Sequence, residues 1–372
     1  MSKNIVLCCD GTGNDFHDPQ TNSNVVKLYS TLVINDSQVG YYHPGVGTMG
    51  SPMATNWLEK EWSRIKGLAF GAGLLDNVAD AYRYLMNTYE DGDRIYIFGF
   101  SRGAFTARAI ASVIHVFGLC CAGNEGLIPY ILRMYSRLTR KAKRKRSTFD
   151  AEDVFRMTFA HTNPVNVHFC GLWDTVSSYG WVYAPIKLPY EGRNPIIQIG
   201  RHAVSIHERR CYYQDNLWGR PFPGQDIRQV WFSGVHSDIG GSYPERESGL
   251  SKIALEWMLV EAAKAGLLID CRKAQTVLGR EDDHAHAQFH YVAPDANAKL
   301  HKSLQSYWWI PEYLPHLADP QSKKGGLYFP FGRYRKIPPG SRIHESVLMR
   351  KWKPDALPEH SVEPWVPYSP GR

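Results

Sequence analysis

The chain has 372 residues, 43% of them hydrophobic, enough for one large α/β domain or two ordinary ones with a buried core. No stretch approaches the roughly 20 apolar residues of a membrane span, and the opening MSKNIVLCCDGTGND predicts a strand where a signal peptide would carry its apolar region. We therefore expect a globular protein that is made in the cytoplasm and is not exported by the Sec route.

The net charge of +7 is modest for this length, but it is unevenly distributed. The segment 137–146 reads RLTRKAKRKR, which is typical of a solvated helix face or a loop. Attraction to anionic lipid head groups is the alternative; no recognisable nucleic-acid-binding fold accompanies the run, so we expect no nucleic-acid partner. The seven cysteines are an odd number, and Cys8, Cys9 and Cys170 fall in predicted strands, which favours reduced core thiols.

Short β-rich runs that end in glycine, aspartate, serine or histidine recur along the chain, and several are followed by helical patterns. This alternation predicts an α/β fold with a mainly parallel sheet flanked by helices. The predicted strands are 5–9, 39–43, 95–98, 165–172 and 229–235, and the predicted helices are 56–89 in pieces, 104–117, 128–140 and 251–265.

Two segments depart from this rhythm. Residues 119–164 contain CCAGNEG and a basic amphipathic stretch, which predict a helical basic insertion. Residues 271–372 lose the strand-helix alternation and are rich in proline and aromatic residues, as in SYWWIPEYLPHL. So many tryptophans and tyrosines are unusual in a disordered tail, so we predict an ordered, aromatic-rich C-terminal cap on a single domain that spans residues 1–372.

The motif GFSRG, residues 99–103, lies between the apolar run RIYIF and the helical pattern AFTARAIASVI. A serine at the tip of a sharp strand-to-helix turn needs a strained backbone and small flanking residues. Its hydroxyl then projects from the sheet edge, and the amides at the helix start, beginning with Arg102, face any oxyanion beside it. This setting favours Ser101 as a nucleophile over an incidental turn.

A serine nucleophile needs a base, and the base needs a third group that orients it. Asp174 follows the strand VNVHFCGLW and His236 follows VWFSGV, at the sheet edge where α/β proteins bind ligands. The chain order Ser101, Asp174, His236 is that of a hydrolase triad, although a turn or capping role is the alternative for Asp174. Asp238 is a rival acid or a loop-capping residue, and His344 in SRIHESV is a rival base.

The first predicted strand ends in CDGTGND, a glycine-rich turn that can aim backbone amides outward. We expect the amide of Gly11 or Thr12 to pair with that of Arg102 in an oxyanion hole, with Asp10 in support. The DGT string also resembles haloacid-dehalogenase phosphatases, whose nucleophilic aspartate stands two residues earlier. That position is Cys8 here, which disfavours phosphotransfer.

Neither a metal nor a cofactor is expected. His284, His286 and His290 in HAHAQFH have a spacing that suits a metal, but the flanking EDD and the absence of neighbouring cysteines favour a polar surface loop. Residues 69–73 lack the glycine spacing and the preceding strand of a dinucleotide-binding fingerprint.

Four blocks, CCDGTGND, YIFGFSRGAFTARAIA, GLWDTVSSYG and WFSGVHSDIGGSYPE, together resemble the α/β-hydrolase domain family that contains type VI secretion phospholipase effectors. The resemblance covers about residues 3–265 and implies an α/β-hydrolase-like fold. It also implies that Ser101, Asp174 and His236 form the triad, which favours His236 over His344. For an effector, it further implies a secretion-system partner and export without a signal peptide.

The expected function is a serine hydrolase that cleaves carboxylic esters through an acyl-enzyme, with phospholipids or other lipid esters as substrates. The basic insertion beside aromatic-rich segments suggests peripheral contact with an anionic membrane surface. Two alternatives stay open: an esterase that acts on small soluble esters, and a catalytically silent hydrolase fold that serves as a binding module.

Overall fold

Eight strands form one parallel sheet at the centre of the protein. They are β1 Asn4–Cys9, β2 Gln38–His43, β3 Arg94–Phe100, β4 Val167–Trp173, β5 Ile197–Ser205, β6 Asp226–Phe232, β7 Ser341–His344 and β8 His360–Glu363. The spatial order is β8-β7-β6-β5-β4-β3-β1-β2, and every neighbouring pair is parallel. The computed structural model describes residues 2–11, 19–45, 72–140, 151–176, 180–181, 184–185, 188–190, 192–281, 290–318, 325–351 and 357–369.

The central strands are buried because helices cover both faces of the sheet. All six residues of β1 are buried, as are six of the seven in β3, and both strands read as continuous apolar runs rather than alternating ones. Such runs are typical of parallel strands between two helical layers. The predicted α/β fold with a mainly parallel sheet is therefore confirmed.

Ten α-helices lie in the described part of the chain. They are α1 Asn24–Ser30, α2 Ala72–Thr88, α3 Arg102–Phe117, α4 Ile128–Arg140, α5 Ala151–Phe159, α6 His236–Gly240, α7 Gly249–Lys264, α8 Cys271–Val277, α9 Trp309–Glu312 and α10 Glu345–Met349. Apolar residues of α2, α3 and α4 form the core on one face of the sheet, and those of α1, α7 and α8 form the core on the other. The predicted helices 104–117, 128–140 and 251–265 correspond to α3, α4 and α7.

The structure contains strands that the apolar pattern does not reveal. In β5, the sequence IQIGRHAVS is interrupted by Arg201 and His202, which are nevertheless buried. Arg201 is accommodated by an ion pair with Glu261 at 2.7 Å. The expectation that the last hundred residues lack strand-helix alternation is wrong for 341–363. There β7 and β8 extend the sheet, and α10 comes between them in the chain. These two strands have four residues each, too few for a readable pattern.

Between α3 and β4 the chain forms α4 and α5, which pack against α3. The rings of Phe117 and Phe155 meet edge to face, with centroids 5.9 Å apart.

Several sequence features lie wholly or partly outside the described residues: positions 56–71, the basic run beyond residue 140, His284 and His286. His290 is exposed. All seven cysteines are free thiols, and no helix among the described residues is long and apolar enough to span a bilayer.

Candidate active site

The serine of GFSRG lies at a strained turn between β3 and α3. Ser101 has φ 58° and ψ −119°, a conformation that L-residues rarely adopt. The turn closes only because both flanking positions are glycine. A Cβ on Gly99 would lie 2.5 Å from the carbonyl oxygen of Gly103, and a Cβ on Gly103 would clash with the carbonyl of Cys9 in β1. The Ser101 amide is held by the carbonyl of Trp173 at 3.0 Å.

Three side chains from three strand ends form a continuous chain of hydrogen bonds. Ser101 Oγ lies 2.8 Å from His236 Nε2, and His236 Nδ1 lies 2.6 Å from Asp174 Oδ2. Asp174 follows β4 directly and has a positive φ of 39°, whereas His236 is the first residue of α6, just after β6. All three residues are buried. The arrangement places an imidazole between a serine hydroxyl and a carboxylate, which is the geometry that a general base and its orienting acid require.

The imidazole of His236 lies between aromatic rings. Phe100 and Tyr213 approach it with centroid distances of 4.7 Å and 4.8 Å. Burial lowers the pKa of His236 below its ordinary value, although the hydrogen bond to the Asp174 carboxylate acts in the opposite direction. The ring is therefore neutral near pH 7, and its Nε2 can accept the serine proton.

The carboxylate of Asp174 is held in its ionised form. Burial alone would raise its pKa, but the Arg335 guanidinium and the hydrogen bond from His236 outweigh burial and place the pKa well below its ordinary range. Arg335 binds both oxygens, at 2.5 Å and 3.1 Å, and the amide of Ser205 donates to Oδ1 at 2.9 Å.

The two rival residues lie elsewhere. His344 ends β7, where its Nδ1 lies 2.8 Å from Ser346 Oγ and its ring stacks on Phe232; burial lowers its pKa to about 3. Asp238 accepts the amide of Val235 at 3.0 Å and bonds His301 Nδ1 at 2.6 Å. Asp238 therefore caps α6 and ties it to the C-terminal part of the chain.

The loop after β1 lies beside Ser101. A Cβ on Gly11 would lie 3.3 Å from Ser101 Cβ, so the loop approaches the serine closely. The Gly11 amide, however, donates to Asp10 Oδ1 at 2.6 Å, while Asp10 Oδ2 accepts the hydroxyls of Ser23 and Tyr42. Asp10 thus accepts hydrogen bonds from three groups and fixes the conformation of the start of the loop. Thr12 lies outside the described residues, and Arg102 begins α3 immediately after the serine.

Sequence reasoning missed two residues that support the site. Arg335, which binds Asp174, lies far along the chain in RYRKIPP, where no local pattern marks it. Glu208 accepts the His236 amide at 3.1 Å and also binds the Arg210 side chain at 3.0 Å. Its position just past β5 would have drawn attention to it, had that strand been recognised.

Metal binding has no structural support in the described part of the chain, which contains no group of three or more His, Cys, Asp or Glu side chains suited to holding an ion.

A parallel sheet between helices, a strained serine between strand and helix, and a Ser-His-Asp hydrogen-bond chain together are the arrangement of the α/β-hydrolase class. Residues 3–261 match the family described as T6SS, Phospholipase effector Tle1-like, catalytic domain. The chain belongs to this family, which confirms the resemblance of its four sequence blocks. Family membership supports hydrolase activity.

The chain is also similar to individual proteins. It is 37% identical over 229 residues to the uncharacterized protein YEL023C of Saccharomyces cerevisiae, which covers 59% of this chain and 33% of that protein. A solved structure of an uncharacterized protein from Pseudomonas aeruginosa is 22% identical, covers 72% of this chain and 46% of its own, and has a TM-score of 0.41. The Tle1 effector bound to the VgrG spike is 18% identical, covers 67% and 53%, and has a TM-score of 0.36. The chain thus spans about a third to a half of these relatives.

Proposed function

We propose that the protein is a serine hydrolase that cleaves carboxylic esters through an acyl-enzyme. The observation that supports this most strongly is the hydrogen-bond chain from Ser101 through His236 to Asp174, built on a strained turn. Strain of this kind persists only where the surrounding structure enforces it, and it is typical of functional sites. An incidental turn would not need two glycines packed against backbone carbonyls.

The reaction follows from the geometry. Ser101 Oγ attacks the ester carbonyl carbon while His236 Nε2 takes the hydroxyl proton, and the positive charge on the imidazolium is stabilised by the Asp174 carboxylate. His236 then returns this proton to the departing alkoxide, which leaves an acyl-serine. In the second half, a water molecule gives its proton to His236 and attacks the acyl carbon. Collapse of this second intermediate breaks the bond between the acyl carbon and Ser101 Oγ and releases the carboxylic acid. His236 gives its proton to Oγ, which restores the serine hydroxyl.

The tetrahedral intermediates need donors for their oxyanion. We propose the backbone amide of Arg102 as one donor, because it stands at the start of a 16-residue helix directly beside the nucleophile. Since the Gly11 amide donates to Asp10, Thr12 is the remaining candidate of the two loop residues for the second donor.

A fluorophosphonate probe tests the nucleophile directly. We expect the folded protein to be labelled at Ser101 and Ser101→Ala to lose both labelling and ester turnover with little change in melting temperature. Ser136→Ala, on α4, is the matched serine control and should behave as wild type. A folded wild type that resists labelling would favour the catalytically silent binding module.

His236→Ala should abolish turnover, whereas loss of turnover only in His344→Ala would assign the base to the other histidine.

We propose lipid esters as the substrate class. The family is one of phospholipase effectors, and the C-terminal part of the chain presents an apolar surface of the kind expected at a lipid interface. We call it the aromatic surface. It consists of the exposed residues Ile310, Tyr313, Leu314, Leu327, Phe329, Phe331 and Tyr334.

Three rings of the aromatic surface contact one another. The Phe331 ring lies 5.8 Å from that of Tyr313 and 5.5 Å from that of Phe329. In the same C-terminal part, the Trp308 ring lies 5.8 Å from that of Tyr213, whose ring contacts His236. This part of the chain therefore contributes both exposed apolar residues and a ring near the proposed catalytic histidine.

Basic residues in the same part of the chain favour an anionic membrane as the contact. Lys302 and Lys336 are exposed. Glu312 is fully buried and accepts hydrogen bonds from the amides of Cys211 and Gly332, so its negative charge does not face solvent there.

Hydrolysis of phospholipid in vesicles that contain anionic lipid, compared with neutral vesicles and with a short soluble ester, tests the proposal. Turnover of the soluble ester alone would favour the alternative, an esterase of small substrates.

We also propose a component of a type VI secretion system as a partner, with export that needs no signal peptide. The support is the family description, in which the catalytic domain belongs to type VI secretion effectors. Release of the protein into culture medium that depends on the secretion apparatus would be the expected result. Retention in the producing cell under all conditions would instead indicate a cytoplasmic enzyme.

A further inference from the structure

Arg335 joins the catalytic acid to the C-terminal part of the chain. Its Nη1 donates to Asp174 Oδ1 at 2.5 Å and its Nη2 donates to Asp174 Oδ2 at 3.1 Å. Both side chains are almost completely removed from solvent, with 5% and 1% exposure. Arg335 lies beyond residues 3–261, the region that matches the family. The acid and its cationic partner therefore come from two different parts of the sequence.

The guanidinium is itself held in one orientation. Nη1 also donates to Ser205 Oγ at 2.8 Å, and Nε donates to the carbonyl of Tyr213 at 3.2 Å, which Nη2 contacts as well. A planar guanidinium with two parallel donors matches the two oxygens of a carboxylate. Asp174 is thus fixed in the rotation that brings its Oδ2 to 2.6 Å from His236 Nδ1.

We propose that Arg335 is a positioning residue of the catalytic centre, which keeps Asp174 ionised and directed at His236. This proposal rests on the serine mechanism proposed above. A buried carboxylate that loses its cation shifts toward the protonated form, and a carboxyl that turns away no longer fixes the tautomer of the base. The C-terminal part of the chain would then be needed for a complete catalytic centre, because residues 3–261, which match the family, do not include Arg335.

The charges around the pair set the sign of the expected pH effect. Besides Asp174, the charged groups that act on His236 are Glu208 and Arg210, which pair with each other at 3.0 Å. Asp215 and the buried His202 also face the Asp174–Arg335 pair. The Asp174 carboxylate raises the pKa of His236. Without Arg335, a carboxyl that is partly protonated or turned away stabilises the imidazolium less, so the pKa of His236 falls.

Two variants separate charge from geometry, with a short soluble ester as substrate. For Arg335→Met we expect kcat to fall about 100-fold because the base is misplaced. KM should change little, and the acid limb of kcat against pH should move down by about one pH unit. Arg335→Lys keeps the positive charge but lacks the two parallel donors of the guanidinium. It should therefore return the acid limb close to wild type and leave kcat reduced. Arg272→Met, at an exposed arginine of α8, is the matched control.

Chemical rescue adds a measurement that a purely structural role would not affect. Millimolar guanidinium should raise kcat of Arg335→Ala, whereas urea at the same concentration should not. A folded Arg335→Met with wild-type kcat and an unmoved acid limb would overturn the proposal. If the methionine variant does not fold, full kcat in Arg335→Lys would overturn the orienting role. Absence of fluorophosphonate labelling in the wild type would instead remove the serine mechanism, so the two failures are distinguishable.

Discussion

The protonation state of His236 controls the proposed reaction, because only the neutral imidazole can accept the proton of Ser101. Two opposing effects act on this residue. Burial among Phe100 and Tyr213 disfavours the charged ring, and the Asp174 carboxylate favours it. Burial is the larger effect, so the pKa of His236 lies below its ordinary value. The protein thus keeps its base neutral without giving up the carboxylate that stabilises the imidazolium during the reaction.

This balance predicts the pH profile. We expect kcat/KM for a soluble ester to fall as the pH is lowered, with an apparent pKa below about 6.5, the usual value for histidine. The reason is that protonation of His236 removes the base, and burial shifts that protonation to lower pH. The measurement is a pH-rate profile of the wild type. An acid limb centred near neutral pH would contradict this account of the site.

At the residue scale, local motifs predicted the three residues that the structure joins by hydrogen bonds, but they did not predict Arg335. Ser101, Asp174 and His236 follow strands that are readable from apolar runs, so the sequence placed them at one sheet edge. Arg335 had no such marker, because its role depends on a contact with a residue 161 positions away. Long-range ion pairs of this kind arise from tertiary packing and leave no local periodicity.

Among the elements, the turn between β3 and α3 is the most tightly constrained. Gly103 packs its Cα against the carbonyl of Cys9 in β1, so the first turn of α3 lies directly on the sheet. A methyl group at this position would push the helix away from the strand and move the serine with it. The glycine at position 103 is therefore a requirement of the turn that carries Ser101 and not a matter of helix propensity.

We expect Gly103→Ala to destabilise the protein by about 3 kcal/mol, because the added Cβ has no space. The matched control is Gly126→Ala, at a glycine with no atom within 4 Å of the added Cβ. That substitution should be neutral or stabilise by about 0.5 kcal/mol, since it restricts the unfolded chain. Urea unfolding of both variants measures the difference. Equal stability of the two would show that the contact with β1 is relaxed in solution.

Some strands of the sheet can be recognised from their apolar pattern in the sequence, and others cannot. Strands β1 and β3 are buried on both faces and appear in the sequence as apolar runs. Strand β5 carries a buried arginine whose charge is neutralised by Glu261 on α7, so its interior position is hidden from an apolar pattern. The edge strands β7 and β8 are short, and Arg342 in β7 pairs with Glu363 in β8 at 3.2 Å. Ile343 of β7 is buried in an apolar cluster with Val204 and Trp231, but one buried apolar residue in a four-residue strand makes no readable pattern.

At the scale of the whole molecule, the C-terminal part is integrated with the rest. Residues after 270 supply β7 and β8 to the sheet, Arg335 to the acid, and Ser303 and His301 to the carboxylates of Glu208 and Asp238. These contacts are buried or half-buried and converge on the loops that carry Asp174 and His236. We propose on these grounds that residues 1–372 form a single domain, with 119–164 as an insertion and 271–372 as a cap that completes the sheet.

A single domain predicts one cooperative transition. We expect thermal unfolding followed by far-UV circular dichroism to coincide with unfolding followed by tryptophan fluorescence, because tryptophans lie both in the sheet core and in the C-terminal part. Trp173 and Trp231 report on the former, and Trp308 and Trp365 on the latter. Two resolved transitions would indicate that the C-terminal part unfolds independently.

The aromatic surface predicts a dependence on the form in which the substrate is presented. Leu327 and Phe329 are 68% and 41% exposed, so their replacement by serine removes apolar contact with a membrane at little cost to the core. We expect the double serine variant to bind anionic vesicles about tenfold more weakly. The ratio of vesicle to soluble-ester turnover should fall to a similar extent.

The matched control uses two apolar residues on another surface, Val154 and Met157 of α5, which are 52% and 78% exposed. If general hydrophobicity were responsible for membrane contact, both double variants would lose vesicle binding equally. A specific lipid-facing surface requires that only the first variant does, as measured by co-sedimentation with vesicles. This comparison tests whether the C-terminal part of the chain, which completes the sheet and holds Asp174, also brings the protein to its proposed substrate.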